Sequence, residues 1–272
     1  ESDRFVAEVM MNSERVLVAG SAVPEGPKSP PGGTDAQRSG TGAPQSTAPL
    51  LRISELSTRF VMPRGSVNAV RKLSLEIGLG EIVGLVGETG SGKSVTAASI
   101  LRLIEPPGRI VSGSIYFRGE DLLTKTEAEM SSIRGRDIVL IVQNVRSALN
   151  PMLPVGDQLC TVFRHHLSLK KRPARAHLRD MLSAVGFRDV GRVARSYPHQ
   201  LSGGMAQRVL IALAVGLEPK LVLADEPTSG LDATVQIEVL DLLSTLLRER
   251  GASALLITHD FGVVSRYCDR VA

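Results

Sequence analysis

The stretch EIVGLVGETGSGKS, residues 81–94, decides the fold of this chain. It begins with a short apolar run at 81–87, which is too short for a typical helix and shows no polar alternation. Such a run is typical of a strand that is buried on both faces of a parallel sheet. Residues 87–94 then match the pattern G-x-x-x-x-G-K-[ST], placed between a strand and a helix. Together these features predict an α/β fold with a phosphate-binding loop.

The loop at 87–94 has the chemistry that a triphosphate requires. Its glycines let backbone N–H groups converge on phosphate oxygens, because no Cβ stands in the way. Lys93 adds a positive charge for the β- and γ-phosphates, and Ser94 offers a hydroxyl to Mg²⁺. The alternative is a glycine-rich loop that matches by accident, which the strand and helix on either side disfavour. We expect the nucleotide to contact Gly87, Glu88, Thr89, Gly90, Ser91, Gly92, Lys93, Ser94 and Val95.

Three further apolar runs, at 137–143, 221–226 and 254–260, have the same buried-strand composition. Helical patterns lie between or after them, and the apolar residues of 234–250 fall on one helical stripe. Strands that alternate with helices indicate a layered α/β domain with a mostly parallel core sheet.

Each of these three runs ends in polar side chains, namely Gln143, the pair Asp225 and Glu226, and His259. Ligands bind beyond the carboxyl ends of the strands in open parallel sheets, so these side chains should gather beside the phosphate loop. Asp225 could hold Mg²⁺ through water, and Glu226 could polarise the attacking water. Gln143 could bind or sense Mg²⁺, and His259 could contact the γ-phosphate or order the water. Taken one at a time, these residues have simpler explanations: a pair of surface carboxylates, a loop amide and a histidine bonded to the backbone. Because all of them are predicted at one edge of the sheet, nucleotide hydrolysis is the favoured interpretation.

A second glycine-rich stretch, LSGGMAQR at 201–208, opens a predicted helix. A helix start offers free N–H groups and a partial positive charge, which suit a phosphate. The stretch has no lysine, so Ser202, Gly203 and Gly204 can only cap the far side of a γ-phosphate that the first loop holds. Two half-sites per chain predict a head-to-tail pair of chains with each ATP sandwiched between them. The simpler alternative is a serine-capped helix start, which explains Ser202 but not the two glycines.

Composition narrows the remaining possibilities. A chain of 272 residues is long enough for one large domain or two small ones. It is 43% apolar and includes no tryptophan. The net charge of +4 indicates ordinary solubility, and we expect no nucleic-acid partner. Cys160 and Cys268 lack metal-binding spacing, which fits a reducing compartment. No apolar run is long enough to cross a bilayer.

The chain divides into regions of different composition. Residues 1–49 end in a stretch rich in Pro, Gly, Ser and Thr, which predicts a disordered or flexible extension. Order should begin near Leu50, and residues 50–272 are predicted to form one ATPase domain. Strand-like alternation marks 51–61. The stretch at about 155–200 has helical patterns and no strong strand, which predicts an inserted helical subdomain.

These elements together resemble the nucleotide-binding subunit of an ATP-binding cassette (ABC) transporter, from Leu50 to the end of the chain. In family order, GETGSGKS corresponds to Walker A, Gln143 to the Q-loop, LSGGMAQR to the signature, LVLADE to Walker B, SGLD to the D-loop and His259 to the switch histidine. Finer stretches are similar to the oligopeptide, dipeptide and nickel importer branch: NVRSALNPMLPVGDQL, SYPHQLSGGMAQRV, ADEPTSGLDATVQ and LLITHDFGVVSRYCDRVA.

The resemblance implies a P-loop NTPase fold of the ABC type, with an N-terminal antiparallel β subdomain. It implies a transport ATPase that uses ATP and Mg²⁺ and pairs with a second ATPase subunit. Its other partners would be membrane permease subunits at the cytoplasmic face of the inner membrane and, indirectly, an extracytoplasmic substrate-binding protein. The implied catalytic residues are Lys93, Gln143, Glu226 and His259, the metal-binding residues are Ser94, Gln143 and Asp225, and Asp232 joins the nucleotide site.

One aromatic residue has two interpretations. Phe60 falls where the family places an aromatic side chain that stacks on adenine, but a core strand phenylalanine is an equal alternative.

The chain departs from the family at two places. Relatives usually have an acidic residue and a proline where this chain has NVR at 144–146. The chain also stops at DRVA, so we expect the C-terminal end of the domain to be truncated.

Two other functions compete with transport. One is a non-transport ABC ATPase, but about sixty residues between Gln143 and the signature leave no room for a long coiled coil. The other is a truncated cassette with a structural role, against which the intact Lys93, Glu226 and His259 argue.

Overall fold

The computed structural model describes residues 48–63 and 65–272, without the side chains of 146 and 147. The flexible extension predicted for 1–49 lies almost entirely outside the described residues. The strands are β1 (Leu51–Met62), β2 (Gly65–Ile77), β3 (Ile82–Val86), β4 (Gly108–Phe117), β5 (Glu120–Asp121), β6 (Ile138–Ile141), β7 (Leu221–Asp225), β8 (Ser253–Thr258) and β9 (Arg270–Val271). The helices are α1 (Lys93–Ile100), α2 (Glu127–Ile133), α3 (Val145–Ala148), α4 (Val155–His166), α5 (Lys171–Ala184), α6 (Val190–Arg195), α7 (Gly203–Gly216), α8 (Ala233–Glu249) and α9 (Phe261–Tyr267), with a 3₁₀ turn at Pro198–Gln200.

The nine strands form two sheets. The core sheet has the order β6-β7-β8-β3-β9, and each of its strand pairs is parallel. The second sheet has the order β2-β1-β4-β5 and is antiparallel. The parallel core sheet and the N-terminal antiparallel subdomain that the sequence predicts are therefore confirmed.

The strands of the core sheet are apolar throughout because both faces of the sheet are covered. Alternate residues of a strand point to opposite faces. Val222 and Ala224 of β7 pack with the helices on one face, whereas Leu221 and Leu223 pack with the antiparallel sheet and α1 on the other. All four side chains are buried. The same arrangement explains the short unbroken apolar runs in the sequence.

The antiparallel subdomain follows a different pattern, since only one of its faces is buried. Leu51 and Ile53 of β1 are buried and alternate with more exposed residues. Register shifts between Ile53 and Thr58 interrupt the pairing of β1 with β2, which is how bulges bend a strand. The bend lets one sheet cover α1 and a face of the core sheet.

The helices α4, α5 and α6 fall within the stretch predicted as a helical subdomain. α4 and α5 pack on α7, α6 packs on α4 and α5, and the apolar residues of all three belong to the same cluster as one face of the core sheet. Contact between α4 and α7 is close at Gly216, where a Cβ would lie 2.8 Å from the ring of Phe163. The helical subdomain is thus joined to the core through α7. Among the described residues, no helix has both the length and the apolar character to cross a membrane.

Candidate nucleotide-binding site

The phosphate loop connects the end of β3 to the start of α1. Gly92 takes a left-handed conformation with φ of 94°, and a Cβ there would lie 2.0 Å from the backbone oxygen of Ala69. Only glycine fits this position, which lets the loop turn tightly into the helix. The side chain of Val95 is buried in the core, so that Val95 can offer only its backbone N–H to a ligand. Glu88, Thr89, Gly90 and Ser91 lie exposed at the top of the loop.

Lys93 is folded back over this loop. Its Nζ donates hydrogen bonds to the backbone oxygens of Gly87 at 2.6 Å and Glu88 at 2.8 Å. The ammonium group therefore lies within the curve of the loop, and the residue is 8% exposed. A phosphate entering the loop would meet this charge directly.

Asp225, at the end of β7, is a buried carboxylate with an unusual environment. Burial is the largest influence on its pKa and raises it to about 6; a hydrogen bond from Ser94 opposes the rise, the charge of Glu226 adds to it, and Lys93 opposes it. Its Oδ1 atom is buried and has no hydrogen-bond partner. A buried, unpaired carboxylate oxygen beside a serine hydroxyl fits a small hard cation that prefers oxygen ligands, as Mg²⁺ does.

The described residues contain no group of three or more His, Cys, Asp or Glu side chains that could hold a metal ion. Mg²⁺ keeps several waters and takes few protein ligands, so Ser94 and Asp225 are a suitable pair for it. The side chain of Gln143 bonds Glu226, so its predicted role as a metal ligand stays a prediction.

Three side chains from the ends of neighbouring strands meet at one place, which we call the catalytic edge: Gln143, Glu226 and His259. Gln143 Nε2 donates to Glu226 Oε2 at 2.9 Å, and His259 Nδ1 lies 3.0 Å from Glu226 Oε1. The parallel order β6-β7-β8 places the strand ends side by side. The sequence argument that these residues share one edge therefore agrees with the geometry.

The backbone of Glu226 is held in a strained conformation. Its φ is 44°, a region that non-glycine residues rarely adopt. The N–H of Glu226 donates to the backbone oxygen of Ile257 at 2.9 Å, which fixes the residue against β8. Its side chain is 14% exposed, whereas that of His259 is 62% exposed. Strain of this kind clusters at functional sites, where surrounding structure holds it in place.

Ser229 also belongs to this network, although it was not among the predicted site residues. Its hydroxyl accepts a hydrogen bond from Gln143 Nε2 at 3.4 Å, and its backbone N–H donates to the oxygen of Glu226 at 3.0 Å. The signal available in the sequence was its position in SGLD, directly after the strand that carries the carboxylates.

The glycine pair at the start of α7 lies in a separate set of contacts. Ser202 is the N-cap of α7, and its hydroxyl accepts a hydrogen bond from the N–H of Met205 at 3.3 Å. A Cβ on Gly204 would lie 2.6 Å from Val235, and one on Gly203 would lie 3.1 Å from Leu231. Close packing of α7 within the chain thus explains why two glycines follow Ser202, which the serine cap alone does not explain.

Two predicted nucleotide contacts are engaged elsewhere. Asp232 is the N-cap of α8 and accepts a hydrogen bond from the N–H of Val235 at 3.1 Å, so a role toward the nucleotide stays a prediction. Phe60 is 5% exposed and packs in the core, where its ring would lie 2.6 Å from a Cβ on Gly108. This burial favours the core alternative, and stacking on adenine stays a prediction.

A glycine loop with its lysine, a buried carboxylate and a catalytic edge on a parallel sheet define a P-loop nucleotide-binding cassette. Comparison with known proteins agrees with this class. The profile of the family described as "ABC transporter" matches residues 70–229. The chain therefore belongs to the ABC transporter family.

Relatives with curated names carry the comparison further. The chain is 44% identical to the oligopeptide transport ATP-binding protein AppD of Bacillus subtilis over 223 residues, which are 82% of this chain and 68% of AppD. It is 47% identical to the probable D,D-dipeptide transport ATP-binding protein DdpD of Escherichia coli over 227 residues, which are 83% of this chain and 69% of DdpD. The predicted resemblance to the oligopeptide and dipeptide branch is confirmed.

Solved structures share the fold. The ATP-binding cassette MJ0796, in a dimeric post-hydrolysis state bound to ADP and Pi, superposes with a TM-score of 0.72 at 27% identity. The match covers 81% of this chain and 92% of MJ0796. The structure of cbiO1 from Clostridium perfringens, part of the complex cbiONQ, gives a TM-score of 0.69 at 26% identity, covering 82% of this chain and 83% of cbiO1.

Proposed function

We propose that this chain is the ATP-hydrolysing subunit of an ABC importer for peptides. The observation that carries the proposal is the catalytic edge, in which Glu226 is held between Gln143 and His259 beside the phosphate loop. The names of its relatives, which are ATP-binding proteins of oligopeptide and dipeptide transport, support the peptide class of cargo.

ATP binding would begin at the phosphate loop. Lys93 already points into the loop, where it bonds two backbone oxygens. We infer that the β- and γ-phosphates replace these oxygens as its partners, because a charged phosphate is the stronger acceptor. The backbone N–H groups at the start of α1 add a partial positive charge toward the same phosphates.

Hydrolysis would follow at the catalytic edge. Glu226 is the carboxylate placed to accept a proton from the attacking water, and its two hydrogen bonds hold both oxygens in a defined orientation. His259 is exposed enough to reach a γ-phosphate while it contacts Glu226. Mg²⁺ held near Ser94 and Asp225 would neutralise charge on the phosphates. Gln143, which donates to Glu226, would bind or sense the Mg²⁺.

Within one chain, the site would contact one side of the γ-phosphate. A second copy or a sister subunit would contact the other side. The start of α7 offers Ser202 and the backbone N–H groups of Gly203 and Gly204. MJ0796 is a dimer in its ADP- and Pi-bound structure, which supports a nucleotide-bridged pair for this chain. ATP would then favour the closed pair because it makes contacts there that the separate chains cannot make.

The permease would dock on the helical subdomain. Met152 and Leu153 are 78% and 47% exposed, and they follow α3, the first helix after Gln143. Nearby, a groove of about 530 Å³ is lined by Asp157, Cys160, Arg175, Arg179 and Tyr197, among others. An apolar patch beside a charged groove suits a protein partner. The chain would thus be peripheral at the cytoplasmic face of the inner membrane.

An ATPase assay with and without co-expressed permease subunits tests the function. We expect slow hydrolysis by the chain alone and faster hydrolysis in the assembled transporter with its peptide-loaded binding protein. Full activity without any permease would instead favour a non-transport ATPase. Binding to the permease without hydrolysis, in a chain with intact Lys93 and Glu226, would favour a structural role.

A further inference from the structure

Two buried side-chain atoms in the described part of the chain have no hydrogen-bond partner: Asp225 Oδ1 and Gln207 Nε2. The proposed metal site accounts for Asp225. Gln207 has no comparable explanation, and its residue is only 1% exposed. Buried polar groups in native proteins are nearly always paired, so an unpaired amide points to a state in which it finds a partner.

Gln207 lies on the same helix as the glycine pair. It comes one turn after Gly203 and Gly204 on α7, and residues three or four apart share one face of a helix. On that face the glycines rest against Leu231 and Val235, which follow the carboxylates of β7 along the chain. The Gln207 side chain is therefore enclosed by the elements packed around α7, away from solvent.

The elements on both sides of Gln143 also contact α7. Strand β6 ends two residues before Gln143, α3 begins two residues after it, and both pack against α7. Gln143 itself donates to Glu226 at the catalytic edge. A shift of the segment 142–148 along α7 would therefore change the surroundings of Gln207 and the bond between Gln143 and Glu226 together.

We propose that Gln207 is a positioning residue that links the signature helix to Gln143. In the ATP-loaded pair, its side-chain amide donates a hydrogen bond to a backbone oxygen of the segment 142–148. In the nucleotide-free chain this hydrogen bond does not form. It therefore stabilises the ATP-loaded state relative to the nucleotide-free state. Gln207 thus helps to set where Gln143 lies when ATP is present. The inference rests on the proposed function, because it assumes a nucleotide-loaded state.

The test replaces Gln207 by leucine, which has similar volume and no unpaired donor. We expect Gln207→Leu to raise the melting temperature of the nucleotide-free chain by about 2–4 °C. The additional stabilisation by a non-hydrolysable ATP analogue with Mg²⁺ should be smaller than in the unaltered chain. The kcat for ATP hydrolysis should fall about tenfold with KM within about twofold, because the loss is in positioning and not in binding.

Ser253→Ala is the matched control. Ser253 is also buried, but its hydroxyl donates to the oxygen of Gly78 and accepts from the N–H of Gly80. It lies at the start of β8, at the end of the sheet opposite the catalytic edge. We expect this variant to lower the melting temperature equally with and without nucleotide and to leave kcat unchanged.

Two results would overturn the proposal. The first is an equal rise in melting temperature with and without nucleotide together with an unchanged kcat, which would make Gln207 an ordinary core residue. The second is a fall in the melting temperature of the nucleotide-free Gln207→Leu chain, which would mean that the amide is already paired. If leucine prevents folding, Gln207→Met provides the same comparison. A chain that binds the analogue but hydrolyses no ATP would contradict the proposed function while the melting comparison still tests Gln207.

Discussion

The catalytic edge and the start of α7 differ in how far one chain completes them. At the edge, Glu226 already contacts both Gln143 and His259. At the start of α7, the hydroxyl of Ser202 bonds the backbone of its own helix, and the glycine pair packs on Leu231 and Val235. The first region is thus assembled within one chain, whereas the second makes contacts only for its own folding. If the proposed function holds, this difference suits an ATP-dependent switch, because hydrolysis would wait for the second region of a partner chain to reach the nucleotide.

The largest effect is expected from Glu226→Gln. The amide keeps the size of the side chain but cannot accept the proton of the attacking water, so kcat should fall by about 10²–10⁴-fold. ATP binding should persist, and the chains should stay paired. Steady-state kinetics and size-exclusion chromatography with ATP measure both effects. Glu249→Gln, at the exposed end of α8, is the control, and a normal rate in Glu226→Gln would remove the assigned role of this carboxylate.

Lys93→Ala should act earlier, on nucleotide binding itself. Its ammonium group is the charge inside the phosphate loop, and charge-assisted hydrogen bonds to phosphate are among the strong ones. We expect ATP affinity to fall by about 100-fold or more, or roughly 2.7 kcal/mol. Isothermal titration calorimetry on the full chain measures this directly. Lys171→Ala at the exposed start of α5 should bind ATP normally, and retained affinity in Lys93→Ala would place the phosphates elsewhere.

Gly204→Ala separates packing from nucleotide contact at the start of α7. Its Cβ would lie 2.6 Å from Val235, so the variant should lose about 1–3 kcal/mol of folding free energy. Adding Val235→Ala removes the clashing methyl groups and should restore the melting temperature. We expect ATPase activity to stay low in the double variant, because under the proposed function the start of α7 also contacts the γ-phosphate. Recovery of both properties would show that Gly204 serves packing alone.

The smallest effect is expected at Asp232. Its side chain caps α8 by accepting the N–H of Val235, so Asp232→Ala should lower the free energy of unfolding by about 1 kcal/mol. Denaturant unfolding of the nucleotide-free chain measures this loss. Asp232→Asn can still cap and should stay close to the unaltered stability. A loss of ATP affinity in Asp232→Asn at unchanged stability would instead assign the residue to the nucleotide.

The sequence was a good guide wherever function depends on the order of elements along the chain. The phosphate loop, the carboxylates after β7 and the histidine after β8 are local features, and the rule that ligands bind at the carboxyl ends of parallel strands brings them together. The sequence was a poor guide where the surroundings decide a residue's role. Phe60 has the position of an adenine-stacking residue, yet its side chain is buried in the core.

The sequence by itself determined the buried parallel strands, the glycine loop and the acidic and imidazole groups at one sheet edge, because periodicity and backbone chemistry are local properties. Only the tertiary structure decided that Gln143 and His259 share Glu226, that Ser229 joins them and that Gln207 Nε2 is buried without a hydrogen-bond partner. These facts depend on distances between segments that are far apart in the chain. Packing sets such distances, and the spacing of residues along the chain does not contain them.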